Sequence, residues 1–222
     1  GLFPTTLGGI DPRRLIKGAQ VMRTLLEQKT ADNPACIFAE ALFLADTFAP
    51  LNQQYLIPYT LGLKSTADWY VQLWAESLGK MEGKHRVGPT PISAVGTSDQ
   101  HSILQLLKEG PLNKVVGFLD VLKHSKPLKV QKPSFNTQKF DYLFRHTFDE
   151  LNHQACLATK ESLDRSGVAT YRIEMPSLTP ESLAGLMFFF ETACAYSGEL
   201  YGIDAFGQPG VEEMKAILRK SL

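Results

Sequence analysis

The sequence predicts an α/β domain with a small mixed sheet, because strong helix patterns alternate irregularly with only about three strand patterns. The chain has 222 residues, of which 44 % are hydrophobic and 21 % are charged, and these values are typical of a globular core. So few strands would leave the helices poorly covered. We therefore expect that further strands lie outside this chain.

Capping residues, prolines and glycines mark the ends of the helices. Asp11, Asn33 and Thr179 each precede a proline, which is the pattern of an N-cap followed by proline at the first helical position. Ser65 and Thr66 are expected to cap a further helix. The helices are predicted over residues 12–26, 35–45, 65–78, 98–110, 140–165, 180–198 and 210–220. The second of them is apolar on nearly every side, so we expect it to be buried between layers.

Three short apolar runs, over residues 54–59, 115–122 and 169–175, have the pattern of strands. Between the first run and the second, residues 80–98 contain Lys, Gly and Pro without clean periodicity and are predicted to form a loop. A loop of that length inside a compact domain is uncommon and often functional.

Composition excludes several classes of function. Lys plus Arg and Asp plus Glu both number 23, which argues against nucleic acid or an anionic membrane as the main partner. The 3 cysteines are widely spaced without a CxxC pair, so we expect a reducing, cytoplasmic location and no thiolate zinc site. The histidines show no metal-binding spacing. The longest apolar run, residues 183–190, is too short for a bilayer, which needs about 20 residues.

The first candidate site residues are Gln72 and Glu76, whose spacing places both side chains on one face of a predicted helix. Trp69 and Trp74 lie on the same helix, so Glu76 could lie against aromatic surface near the helix end, as suits a carboxylate base. The alternative is a solvated glutamate on an exposed face.

Two later segments also carry polar residues that packing does not explain. His101 lies in the first turn of a predicted helix, and a neutral imidazole there could both give and take a proton. Turns over residues 207–210 precede the last helix, whose start could bind an anion such as phosphate, and Lys215 follows in that helix. The alternatives are a surface histidine and an ordinary terminal helix with solvated charges.

Three segments, in this order, resemble the phosphoglucose isomerase (glucose-6-phosphate isomerase) family, most closely its bacterial branch: QLWAESLGK, GTSDQHSILQLLKEG and AFGQPGVEEMK. The opening GLFPTTLGGIDPRRLIKGA is similar to the stretch that follows the GGR segment of this family. The resemblance covers essentially the whole chain. It implies a three-layer sugar-isomerase (SIS) domain, with a small mixed or parallel sheet between helices and a helix-rich C-terminus. It also implies a glycolytic and gluconeogenic enzyme that interconverts glucose 6-phosphate and fructose 6-phosphate through a cis-enediol.

The resemblance further implies a role for each candidate residue. Glu76 matches the base that moves a proton between the first two sugar carbons. His101 matches the ring-opening histidine, which the neighbouring subunit delivers, so the family is typically a homodimer with shared active sites. Lys215 matches the lysine near the ring oxygen and the first hydroxyl. Gln72 and Gln208 match glutamines near the phosphate, and no metal or organic cofactor is implied.

Members of this family are longer than this chain, so the resemblance implies its C-terminal portion. We expect a second SIS domain over residues 1–198, an active-site turn and helix over 199–222, and a first SIS domain upstream of Gly1. Gly207 departs from the acidic or amide residue that the family usually has there. The alternative function is a regulatory SIS domain that binds a sugar phosphate without turning it over. Such a sensor has no use for a proton-shuttling base, so the three predicted catalytic residues together favour the enzyme.

Overall fold

The structure is a computed structural model that describes residues 1–28, 30–136 and 138–221. The helices of the described part are α1 (Leu2–Leu7), α2 (Pro12–Leu26), α3 (Pro34–Phe48), α4 (Lys64–Leu78), α5 (Gln100–Glu109), α6 (Phe148–Asp164), α7 (Pro180–Tyr201) and α8 (Gly210–Ser221). The strands are β1 (Gln53–Pro58), β2 (Lys80–Glu82), β3 (His85–Val87), β4 (Thr90–Ser93), β5 (Lys114–Lys123) and β6 (Ala169–Ser177).

Four strands form one parallel sheet in the order β4-β1-β5-β6, and β2 pairs with β3 in a separate antiparallel hairpin. The helices α4, α5, α6 and α7 follow β1, β4, β5 and β6. We call the edge at which the parallel strands end the carboxyl edge, and the opposite one the amino edge. Because each of these helices leads back across the sheet, it begins at the carboxyl edge and ends at the amino edge. The predicted α/β class with a parallel sheet between helices is confirmed.

Helices cover both faces of the sheet and so make three layers. On one face α4 and α7 pack on the strands, with α2 and α3 against α7, and Leu56 and Phe190 belong to this buried cluster. On the other face α5 and α6 bury Tyr55 together with Leu107 and Cys156. Successive residues of β1 point to opposite faces, so Leu56 joins the first cluster and Tyr55 the second.

The prediction of one loop over residues 80–98 is wrong, and so is the count of three strands. The segment contains the β2–β3 hairpin and then β4, which pairs with β1 at the edge of the sheet. β4 has only 4 residues and includes Pro91, which an edge strand tolerates because its missing N–H can face away from the ladder. A strand this short, with a proline in it, has no alternating pattern that the sequence could reveal.

Several helix ends were predicted correctly. Asp11, Asn33 and Thr179 are N-caps whose side chains accept hydrogen bonds from the first turn, each followed by the expected proline. The cap predicted at Ser65 and Thr66 is wrong, because α4 begins at Lys64 directly after a short 3₁₀ turn and has no side-chain cap.

The helix predicted over residues 140–165 is also shorter than expected. A 3₁₀ segment occupies Gln138–Arg145, and α6 begins only after Thr147. Thr147 and Glu150 form a reciprocal capping box, which fixes this later start. α7 instead continues beyond residue 198 to Tyr201, where Gly202 ends it in the left-handed conformation, with φ of 68°.

The expectation that the apolar helix over residues 35–45 is buried between layers is wrong for this chain, because one of its sides is exposed. α3 buries Ala35, Ala39 and Leu42, but Ile37 and Leu44 are exposed on its other side. α1 was not predicted; none of its residues is buried, so no hydrophobic face marks it in the sequence.

Candidate active site

Glu76 lies in the last turn of α4 and therefore at the amino edge of the sheet. The buried side of this helix carries Tyr70, Trp74 and Leu78, and the rings of Tyr70 and Trp74 stack with centroids 4.3 Å apart. Gln72 and Glu76 lie on the opposite, exposed side. The expectation that Glu76 lies against aromatic surface is therefore wrong, because the aromatic residues of α4 turn into the core.

Three of the predicted site residues form one hydrogen-bonded group. Gln72 Nε2 donates to Glu76 Oε1 at 3.1 Å, as the spacing of one helical turn allows. Gln208 Nε2 donates to Glu76 Oε2 at 2.6 Å, from the segment that follows α7. Because α4 and α7 both end at the amino edge, the chain after α7 passes the end of α4. Each carboxylate oxygen of Glu76 therefore has its own amide donor, which fixes the orientation of the side chain.

A pocket of about 740 Å³ opens beside this group. The end of α4, the β2–β3 hairpin and the segment from Ile203 to the start of α8 line it. Its charged lining residues are Glu76 and Asp204, which are acidic, and Lys80 and Arg86, which are basic. Lys80 Nζ donates to the backbone oxygen of Asp204 at 2.7 Å. A lining that carries charges of both signs suits a polar ligand rather than an apolar one.

His101 lies far from this pocket within the chain. It is exposed in the first turn of α5, so it is at the carboxyl edge, on the opposite face of the sheet from α4. Glu76 lies 12 residues into α4, which corresponds to about 18 Å of helix towards the amino edge. A single copy of this chain therefore does not bring His101 and Glu76 together.

Lys215 is exposed on α8 and does not belong to the described lining of the pocket. Val211 does line the pocket, and Lys215 lies one turn further along the same face of α8. Lys215 is therefore next to the pocket in the helix that closes one side of it. Gly207, the departure from the family pattern, lines the pocket beside Gln208, and Gln208 still reaches Glu76.

Sequence reasoning missed Lys80 and Arg86 as parts of this site. Lys80 stands in QLWAESLGK, the segment that carries the family resemblance, but the sequence does not show that the hairpin after it folds back against the segment after α7. The one available signal was the length of the segment over residues 80–98, which was expected to be functional.

A second polar group, also missed, lies at the carboxyl edge. The side chain of Asp120 is 2 % exposed and receives a hydrogen bond from Arg172 Nη1 at 2.9 Å. His153 Nδ1 lies 2.8 Å from the same carboxylate oxygen, and Arg172 also pairs with Glu174. The two carboxylates of this group are paired with its two basic side chains, so the group has the character of a structural ion-pair network.

The cysteines do not suit nucleophilic chemistry. All three are buried, and burial raises the pKa of Cys156 to about 12 and that of Cys194 to about 11.

Within the described ranges, no group of three His, Cys, Asp or Glu side chains could hold a metal ion. No helix in the part of the chain that the structure describes is both long enough and apolar enough to cross a membrane.

The family model and the curated relatives agree on one family. Residues 7–221 match the family model for phosphoglucose isomerase. The glucose-6-phosphate isomerase of Rubrobacter xylanophilus is 39 % identical, and the match covers 98 % of this chain and 49 % of that protein. The chain thus spans about half the length of the curated relatives that it matches.

Solved structures agree on the fold. A hypothetical protein from Thermus thermophilus superposes with a TM-score of 0.94 at 31 % identity, over 100 % of this chain and 52 % of that one. A glucose-6-phosphate isomerase from Chlamydia trachomatis gives a TM-score of 0.79 at 22 % identity, over 93 % of this chain and 42 % of that one. At that lower identity the second match supports the fold alone.

Proposed function

The chain belongs to the phosphoglucose isomerase family, and from this premise we propose that it is the C-terminal catalytic portion of an enzyme that interconverts glucose 6-phosphate and fructose 6-phosphate. The observation that carries the proposal is the Glu76 carboxylate, oriented by two amides at the mouth of a polar pocket. An oriented carboxylate open to a ligand is what a proton transfer between neighbouring carbons requires.

In the proposed reaction Glu76 takes the proton from C2 of the open-chain aldose while O1 gains a proton, which forms the cis-enediol. The same carboxyl group then returns the proton to C1 while O2 loses its proton, which forms the ketose. The proton that O2 loses replaces, by exchange with water, the proton that O1 gained, so atoms and electrons balance without an oxidant or a cofactor. Hydrogen bonds from Gln72 and Gln208 hold the two carboxylate oxygens of Glu76 in place, and one of these oxygens faces the substrate.

We propose that His101 acts on the pocket of a second copy of the chain and opens the sugar ring there. The positions of His101 and Glu76 at opposite edges of the sheet support this arrangement, since one copy cannot bring the two side chains together. The functional unit is then a homodimer with shared active sites.

Lys215 is proposed to assist ring opening near the ring oxygen and the first hydroxyl, from its place one turn beyond the pocket-lining Val211. Gln72 and Gln208 are proposed to contact the phosphate as well. Each amide nitrogen has two N–H groups, so one remains for a phosphate oxygen when the other donates to Glu76.

The proposed domain division is a second SIS domain over residues 1–198 and an active-site turn and helix over 199–222. α7 extends three residues across this division, to Tyr201, and residue 222 lies outside the described residues.

The regulatory alternative has less support, because a sensor of sugar phosphates gains nothing from a carboxylate held by two amides.

The test is Glu76→Gln in the protein that contains this chain, assayed for conversion of fructose 6-phosphate. The amide cannot accept the proton, so we expect turnover to fall by about 10²- to 10⁴-fold, with the melting temperature unchanged. The matched control is Glu109→Gln on α5, where Gln105 Nε2 donates to Glu109 at 2.7 Å in the same one-turn arrangement, away from the pocket. Near-normal turnover of the Glu76 variant would contradict the assignment of the base.

A further inference from the structure

Lys80 joins two parts of the pocket that are 124 positions apart in the sequence. It lies four residues after Glu76, as the first residue of β2 and just beyond the end of α4. Its ammonium group donates to the backbone oxygen of Asp204, in the segment 203–209 that connects α7 to α8. The same segment carries Gln208, which donates to Glu76.

The segment 203–209 is therefore attached to the end of α4 at two points. One is the hydrogen bond from Lys80 to Asp204, and the other is the hydrogen bond from Gln208 to Glu76. Asp204 also orders the segment internally, since its Oδ1 accepts from the backbone N–H of Phe206 at 2.8 Å. Phe206 itself is 87 % exposed, whereas Ile203 packs on the core and donates its backbone N–H to Gly198 of α7. The start of the segment is therefore held by α7, and the part beyond it depends on the hydrogen bonds from Lys80 and Gln208.

We propose that Lys80 is a positioning residue, which fixes the segment 203–209 so that Gln208 can orient the Glu76 carboxylate. This inference rests on the proposed function of Glu76. Lys80 does not itself need to touch the substrate, because its hydrogen bond is to a backbone oxygen on the wall of the pocket. Without that bond, the segment beyond Ile203 keeps the hydrogen bond from Gln208 to Glu76 but loses the one to the start of β2. An ångström-scale displacement of an orienting group costs about 10²-fold in rate.

The experiment uses Lys80→Met in the protein that contains this chain, with Lys80→Arg as the conservative variant. We expect Lys80→Met to lower kcat about 10- to 100-fold, with KM changed less than about threefold. Lys80→Arg keeps a donor and should recover most of the loss. Lys84→Met is the matched control, because Lys84 lies in the turn of the same hairpin, is exposed and does not line the pocket.

A double variant with Gln208→Ala distinguishes positioning from a general structural role. If Lys80 acts through Gln208, Lys80→Met lowers kcat by less than about twofold once Gln208 is alanine. The proposal is overturned if the loss of kcat in the double variant equals the product of the two single losses. It is also overturned if Lys80→Met alone keeps full kcat.

Hydrogen exchange separates this proposal from the proposed function. Peptides that cover residues 203–209 should exchange faster in Lys80→Met than in Lys84→Met, whether or not the protein isomerises sugar phosphates. Unchanged exchange overturns the positioning role. Lys80→Leu, which has no hydrogen-bond donor, replaces Lys80→Met in both measurements if the methionine variant does not fold.

Discussion

At the scale of single residues, two carboxylates of this chain have opposite surroundings. Glu76 is exposed and held by uncharged amides, which leaves it available to a ligand. Asp120 is almost fully buried and held by Arg172 and His153, which leaves it no access to the solvent. We therefore propose a catalytic role for Glu76 and a stabilising role for Asp120.

Replacement of Asp120 by alanine should therefore destabilise the fold. The substitution leaves Arg172 without its buried partner, although Glu174 still pairs with it, so we expect a loss of about 2–4 kcal/mol in the free energy of unfolding. Glu161→Ala removes the exposed partner of Arg165 on α6 and should cost less than about 1 kcal/mol. Urea unfolding of both variants measures the difference, and equal losses would show that the buried network is not stabilising.

At the scale of elements, the contact between α2 and α7 depends on one glycine. A Cβ atom built on Gly18 would lie 2.0 Å from the backbone oxygen of Glu181, in the first turn of α7. Backbone atoms at a helix start cannot move aside as a side-chain tip can. The two helices therefore approach each other this closely only because residue 18 has no side chain.

Gly18→Ala should destabilise the chain by about 1–3 kcal/mol, because the added methyl group forces α2 away from α7. Gly185→Ala on α7 is the matched control from the same contact. Its Cβ would meet Gly18 and Met22 at 3.5–3.8 Å, which is ordinary contact, so the helix propensity of alanine should make it neutral or stabilising. Thermal unfolding distinguishes the two, and a neutral Gly18→Ala would contradict the close approach.

Elements with local signals were the ones that the sequence could predict. α2, α3 and α7 begin at a capping residue followed by proline, and their starts were correct. β4 was missed because its strand character comes from pairing with β1, and not from any pattern in its own 4 residues. The start predicted for α6 was too early for a different reason, since residues 138–145 are helix-like in pattern but form 3₁₀ turns before the cap at Thr147.

The candidate site follows the same rule. The pairing of Gln72 with Glu76 was predictable because both lie on one helix, one turn apart. The approach of Gln208 and the contact of Lys80 with Asp204 were not, since they depend on α4 and α7 ending at the same edge of the sheet. The family resemblance identified Gln208 as a site residue but did not indicate that it contacts Glu76.

At the scale of the whole molecule, the proposal requires two copies of the chain. The pocket of Glu76 is at the amino edge and His101 is at the carboxyl edge, on the other face of the sheet. An active site that uses both residues must therefore be built from two copies. The proposed activity therefore depends both on the Glu76 carboxylate and on the association of two copies of the chain.

The most direct test is activity in mixed dimers of Glu76→Gln and His101→Ala, each inactive alone in the protein that contains this chain. A mixed dimer keeps one site in which both residues are intact, so co-expression should restore about one quarter of the unsubstituted activity after random pairing. We predict recovery to that level, from the one intact site of each mixed dimer. No recovery, with mixed dimers demonstrably formed, would contradict it, because the two residues would then serve the same copy or no common site.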